Sequence, residues 1–118
     1  MYSKFGQFID GKWQASSNKE TYDVMNPATE EVIGKASKAT SVDVEKALKS
    51  AAKGFEVWKK VKPWERSKII KKIADEIRKK SKIFSQWMTL ETGKTLAEGE
   101  AEASASADIF EWNAEETK

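Results

Sequence analysis

Residues 97–107 read AEGEAEASASA and contain no bulky apolar side chain. A capping box precedes them. The Thr95 hydroxyl can take up a free N–H of a first helical turn, and Glu98, three residues on, supplies the reciprocal carboxylate. The segment is therefore read as a helix that runs on to the end of the chain. Ala, Ser, Gly and Glu cannot build a core from their own side chains. They offer a surface that another backbone can approach closely. The expectation is that this helix packs against a large surface that the chain need not contain.

Three more helices are predicted upstream. Thr40 and Asp43 repeat the capping-box spacing. Val44, Ala47, Leu48, Ala51, Phe55 and Trp58 then recur at three- and four-residue intervals, an apolar stripe expected to face a core. Lys46, Lys49, Lys53 and Glu56 fall on the other side. Pro63 suits the first position of the next helix, where its missing N–H is harmless. Ile69, Ile70, Ile73 and Ile77 would be that helix's buried stripe. Ser81 interrupts the pattern and suits the cap of a short helix bearing Phe84, Trp87, Met88 and Leu90, which Gly93 would end.

The first 40 residues read as strands and turns. Phe8 and Ile9, the pair Asp10-Gly11, and Lys12 to Gln14 make a tight hairpin, because Asp-Gly accepts the positive φ angles of a two-residue turn. Residues 15–20 are polar and loop-like. Tyr22 and Val24 alternate with polar neighbours as in a half-buried strand. Asn26-Pro27-Ala28-Thr29 is a turn, and residues 31–36 return as the second strand. The fold class expected for the chain is α+β: antiparallel hairpins followed by about four helices.

Composition excludes much chemistry. The 118 residues contain neither Cys nor His, which removes thiol nucleophiles, Ser-His pairs, zinc fingers and disulfides. Lys plus Arg number 21 against 19 Asp plus Glu, and 39% of residues are hydrophobic; that is globular composition rather than disorder. The opening MYSKFGQFIDGKW lacks a signal-peptide apolar run, and no stretch approaches the length needed to span a membrane. A soluble, cytoplasmic protein with no membrane partner is expected.

Three motifs invite sharper readings. Gly93-Lys94-Thr95 looks like the end of a phosphate-binding loop, but the Gly required five positions earlier is Met88, and a helix rather than a strand leads in. A helix stop followed by a cap is the better reading. Residues 62–82 carry nine basic and three acidic groups, and residues 91–118 carry eight acidic and two basic. A basic helix can touch phosphates, yet Lys68, Lys71, Lys72, Arg78 and Lys79 fall opposite the Ile stripe with no interleaved aromatic for base stacking. Solvated faces attracting one another within the fold are preferred, and no nucleic-acid partner is expected. Trp58, Trp64, Trp87, Phe110 and Trp112 are assigned to core or subunit contact rather than to a ligand box.

The order of short segments adds what no one of them carries. Phe8-Ile9-Asp10-Gly11-Lys12-Trp13 is followed by Asn26-Pro27-Ala28-Thr29-Glu30-Glu31-Val32-Ile33-Gly34, then Asp43-Val44 with Ala47, and Trp58. Pro63-Trp64-Glu65-Arg66 precedes Ile70, Ala74-Asp75 and Ile77. Leu90-Glu91-Thr92-Gly93-Lys94 leads into Glu98, and Phe110-Glu111-Trp112 with Ala114-Glu115-Glu116 closes. The series resembles the N-terminal quarter of the NAD(P)-dependent aldehyde dehydrogenases, over essentially the whole chain. The closing pieces look most like the succinate-semialdehyde branch. Thr95 stands where many members have Pro after Glu-Thr-Gly-Lys; both residues suit a helix start.

That resemblance implies a parent enzyme of α/β architecture in which a Cys thiolate attacks an aldehyde, forming a thiohemiacetal held by an oxyanion hole. Hydride passes to NAD or NADP, and water activated by a Glu releases a carboxylic acid. The Cys, the Glu base, the oxyanion Asn and the cofactor sheet would all lie outside these residues. Residues 1–40 would be hairpins and 41–118 helices flanking the cofactor domain, with the catalytic domain absent. No catalytic, cofactor-binding or metal-binding residue is assigned to the chain. Glu102 and Ala105 are the positions matched to the substrate tunnel. The chain alone is expected to be inactive, to bind no cofactor, and to associate with the rest of the dehydrogenase, with other subunits or with itself. The alternative is a stand-alone interaction module that binds full-length dehydrogenase subunits.

Overall fold

The computed structural model describes residues 6–118; residues 1–5, part of the opening read for a targeting signal, lie outside the described residues. Four short strands precede four helices. Strands β1 (Gln7–Ile9) and β2 (Lys12–Gln14) form one antiparallel hairpin, and β3 (Thr21–Met25) and β4 (Val32–Ser37) form another. Helices α1 (Ser41–Trp58), α2 (Pro63–Lys79), α3 (Ser81–Thr92) and α4 (Leu96–Glu116) follow. This is the α+β arrangement expected. None of the described helices is long and apolar enough to cross a membrane. The chain divides into two compact units, residues 1–60 and 61–118.

In the first unit, local chemistry sets both hairpin turns. Asp10 and Gly11 adopt φ of 55° and 74°, the paired left-handed geometry whose twist suits a two-residue hairpin. Phe8 faces Trp13 across the strands, with ring centroids 5.1 Å apart. In the second turn the Asn26 side chain accepts from the Ala28 N–H at 2.9 Å, an Asx turn that holds the bend. Residues 15–20 are loop, as read, but they are tied down. Ser16 is buried, and its hydroxyl donates to the Glu20 carbonyl at 3.0 Å. The capping box on α1 forms as expected. The apolar stripe of α1 does not meet a core: Val44, Leu48 and Phe55 are all exposed.

The second unit is a three-helix body whose interior is made of small residues. Helix α4 packs on α2 and α3. Its inner face is Gly99, Ala103, Ala107 and Ala114, met by Ser67 and Ala74 of α2 and by Ser85 of α3. The small-residue face therefore finds its partners within the chain, contrary to the expectation of an outside surface. A Cβ on Gly99 would lie 2.9 Å from the Ser85 Cα, so glycine is required for the helices to cross this closely. The Ser85 hydroxyl donates to the Leu96 carbonyl at 2.6 Å, meeting a carbonyl acceptor at the buried crossing.

Three further expectations change. The four isoleucines of α2 do not form one buried stripe. Ile70 and Ile77 are half-buried beside Ala74, whereas Ile69 and Ile73 are exposed on a separate face. The reason is spacing: Ser67, Ile70, Ala74 and Ile77 share the inner side, and residues 69 and 73 lie about 100° away. Ser81 is the first residue of α3 and not its cap; Lys80 holds that position without a side-chain hydrogen bond. Nor do the aromatic residues make a core. Trp64 and Trp112 are exposed, as are Trp58 and Phe110, while Trp87 is half-buried against the edge of Phe84.

Candidate functional site

Helix α4 organises the chemistry of the second unit, one face turned inward, one flank charged, one face bare. On the charged flank, Arg78 reaches Asp108 at 2.8 Å and Glu111 at 2.6 Å, and Lys71 reaches Glu115 at 3.0 Å and Glu111 at 3.8 Å. These pairs join the basic α2 to the acidic α4, the attraction expected from the two charge runs. They also revise it: Lys71 and Arg78 line the helix seam and do not lie opposite it. Hydrogen bonding to Glu115 raises the Lys71 pKa, and hydrogen bonds to Asp108 and Glu111 raise that of Arg78. The Glu115 carboxyl is held low by hydrogen bonds from Lys118 and Lys71. Each shift is produced by an ion pair and favours the charged form, and none leaves a group poised near neutrality for proton transfer.

The junction between α3 and α4 absorbs the phosphate-loop motif. Gly93 ends α3 in the left-handed region with φ of 75°. Lys94 pairs with Glu102. Thr95 caps α4, its N–H and hydroxyl both donating to the Glu98 carboxylate at 2.9 Å, and these bonds hold the Glu98 pKa down. Each of the three residues has a structural partner or task, and a helix rather than a strand precedes them. The helix-stop reading stands.

Glu102 and Ala105, the residues matched to a substrate tunnel, lie one turn apart on the face of α4 opposite the buried one, and both are exposed. Ile109, Trp112 and Asn113 continue this face and, with Asp108, line an open apolar recess of about 280 Å3. A second recess of about 380 Å3 runs along α2 and onto α3, floored by Ile69, Ile73, Ile77 and Phe84 and flanked by Lys72, Glu76 and Lys80. The sequence reading missed both, because it assigned Ile69, Ile73 and Ile77 to a buried stripe and Trp112 to core or subunit contact. The clue was the excess of apolar positions on α2 and α4 over what one packed face can use.

In the first unit the most perturbed group is Asp43. Its carboxylate accepts from the Thr40 N–H at 3.0 Å and from the Ser17 N–H at 3.1 and 3.2 Å. These backbone donors, Thr40 first and Ser17 next, lower its pKa from 3.8 to about 2. Such a carboxylate is a fastener: too acidic to act as a base near neutral pH, it pins the 15–20 loop to the start of α1. Capping spacing marked Asp43, but its bond to Ser17 spans 26 residues and has no local signal.

Among the described residues, no nucleophile, base and oxyanion hole come together, so the affinities of the chain as a whole decide its place. The sequence profile described as the aldehyde dehydrogenase family matches residues 13–118. The chain belongs to the aldehyde dehydrogenase family. A succinate-semialdehyde dehydrogenase [NADP(+)] of Schizosaccharomyces pombe is 33% identical to this chain over 109 residues, 92% of the chain and 22% of the relative. Among solved structures, betaine aldehyde dehydrogenase of Staphylococcus aureus in complex with NAD+ superposes with a TM-score of 0.89 at 37% identity. That match covers 92% of this chain and 22% of that one. A point mutant of the same enzyme gives the same score and identity. This chain thus spans a little over a fifth of the length of the relatives it matches.

Proposed function

We propose that the chain is the N-terminal scaffold of an NAD(P)-dependent aldehyde dehydrogenase whose full-length parent oxidises an aldehyde to a carboxylic acid, and that the 118 residues alone are inactive. The observation that carries this reading is the inverted distribution of side chains. The sealed interior holds alanine, serine and glycine, while Phe55, Trp64, Ile109 and Trp112 stand exposed at 61–70%. Apolar surface on this scale is the mark of an interface. Its occupants, in this reading, are the rest of the dehydrogenase chain or other subunits. The face bearing Glu102 and Ala105 would flank the entry of the aldehyde.

The residues present do not fit a dinucleotide. Such a site is built from a parallel βαβ unit with a glycine-rich strand-to-helix turn, and the described strands form antiparallel hairpins. No step of the oxidation is therefore assigned to these side chains, and the Cys-free sequence leaves the thiohemiacetal chemistry to the rest of the parent. The test is an assay of the purified chain for aldehyde-dependent reduction of NAD+ and NADP+, with succinate semialdehyde and betaine aldehyde among the substrates. The expected rate is the enzyme-free background. Turnover at ordinary enzyme concentration would overturn the proposal.

A further inference from the structure

Lys46, Lys49 and Lys53 stand on one side of α1 and, with Ser50, form a wall of an open groove of about 350 Å3; Ile9, Asp10 and Gln14 of the first hairpin form the other wall. Seven residues of helix rise about 10 Å, so the three lysines are distributed along the groove. Glu45 lies four residues before Lys49, the favoured order for a helical ion pair, yet no such pair forms. Glu56, three residues after Lys53, is bound to Lys59 at 2.6 Å. Among the described residues, none of the three lysines has a carboxylate within ion-pair distance, and the Ser50 hydroxyl has no partner. The lining carries three positive charges and, in Asp10, one negative. A smaller apolar recess of about 260 Å3, which includes Phe8 and Ala47, shares Ile9, Asp10 and Ser50 with the groove.

Like charges on adjacent turns repel, so a row of unpaired lysines beside an unpaired hydroxyl matches a ligand that brings several negative charges and acceptor oxygens at once. A diphosphate, with more charge and more oxygens spread over a greater length than one phosphate, suits lysines distributed over about two helical turns. We propose that this groove binds a small anion of the diphosphate class. Lys46, Lys49 and Lys53 pair with its oxygens, Ser50 donates to it, and any organic portion lies toward Phe8. The proposal is independent of the dehydrogenase reading.

The test is a titration of the isotopically labelled 118-residue chain with inorganic pyrophosphate at constant ionic strength, read by amide chemical shifts. Saturating changes centred on residues 46–53 and Gln14 are expected. Lys49→Gln combined with Lys53→Gln should weaken binding by about tenfold or more, since charge-assisted hydrogen bonds are lost. Orthophosphate should bind more weakly. Shifts spread evenly over the lysines of α2, equal affinity for orthophosphate, or binding unchanged in the double variant would each overturn the proposal. Should that variant fail to fold, the shift map of the unsubstituted chain and the orthophosphate comparison decide.

Discussion

Asp43 and Gly99 are each defined by a distant partner. Asp43 is held in its charged form by N–H donors from Thr40 and Ser17, so its carboxyl titrates at about 2 in the folded chain against 3.8 unperturbed. The unfolded state binds the proton more readily, so this stabilisation is fully present above 3.8 and is lost as pH falls through about 2. Asp43→Asn should flatten that part of the acid limb, measured as the urea midpoint at a series of pH values between about 5 and 2. Identical limbs for the two proteins would refute this role. At Gly99 two effects compete. Alanine improves helix propensity by up to about 1 kcal/mol, but its Cβ would press on the Ser85 backbone. Overpacking typically costs about 1–3 kcal/mol, so Gly99→Ala should destabilise, and a denaturation midpoint that rises would show the crossing to be looser than it looks.

The helices owe their existence to local signals and their arrangement to two different seams. The capping boxes at Thr40 and Thr95, Pro63 at the first position of α2, and Gly93 at the end of α3 all act within one turn. Between elements, α2 and α4 are registered by the Arg78 and Lys71 ion pairs, which are partly exposed and so open to screening. Arg78→Glu should lower the melting temperature, and adding Glu111→Arg should recover part of the loss. No recovery in the double variant would mean that the pairs merely decorate a seam set by packing. The sequence made the attraction between these helices legible from net charge alone. It did not reveal which basic residues take part, because that depends on the rotation of α2 about its axis, which is set by Ser67 and Ala74 fitting beneath α4.

For the molecule as a whole, the exposed isoleucines and tryptophans govern behaviour in solution. Water disfavours such area at about 25 cal/mol per Å2, so the chain should self-associate as its concentration rises. Sedimentation across about a hundredfold range of concentration should show this by mass action, and Ile69→Lys with Ile73→Lys should reduce it. A strictly monomeric chain over that range would count against a scaffold with uncovered faces.

The sequence by itself determined the antiparallel hairpins, the four helices, both capping boxes and the family, because turn chemistry, capping and segment order are carried by residues close together along the chain. Which faces are inside was decided by the tertiary structure alone. Apolar periodicity reports that a face avoids water without naming what covers it, and here the stripes of α1 and outer α2 stay open while Ala, Ser and Gly, the smallest side chains, fill the crossing. Small side chains win that place because two backbones can meet only where there is little between them.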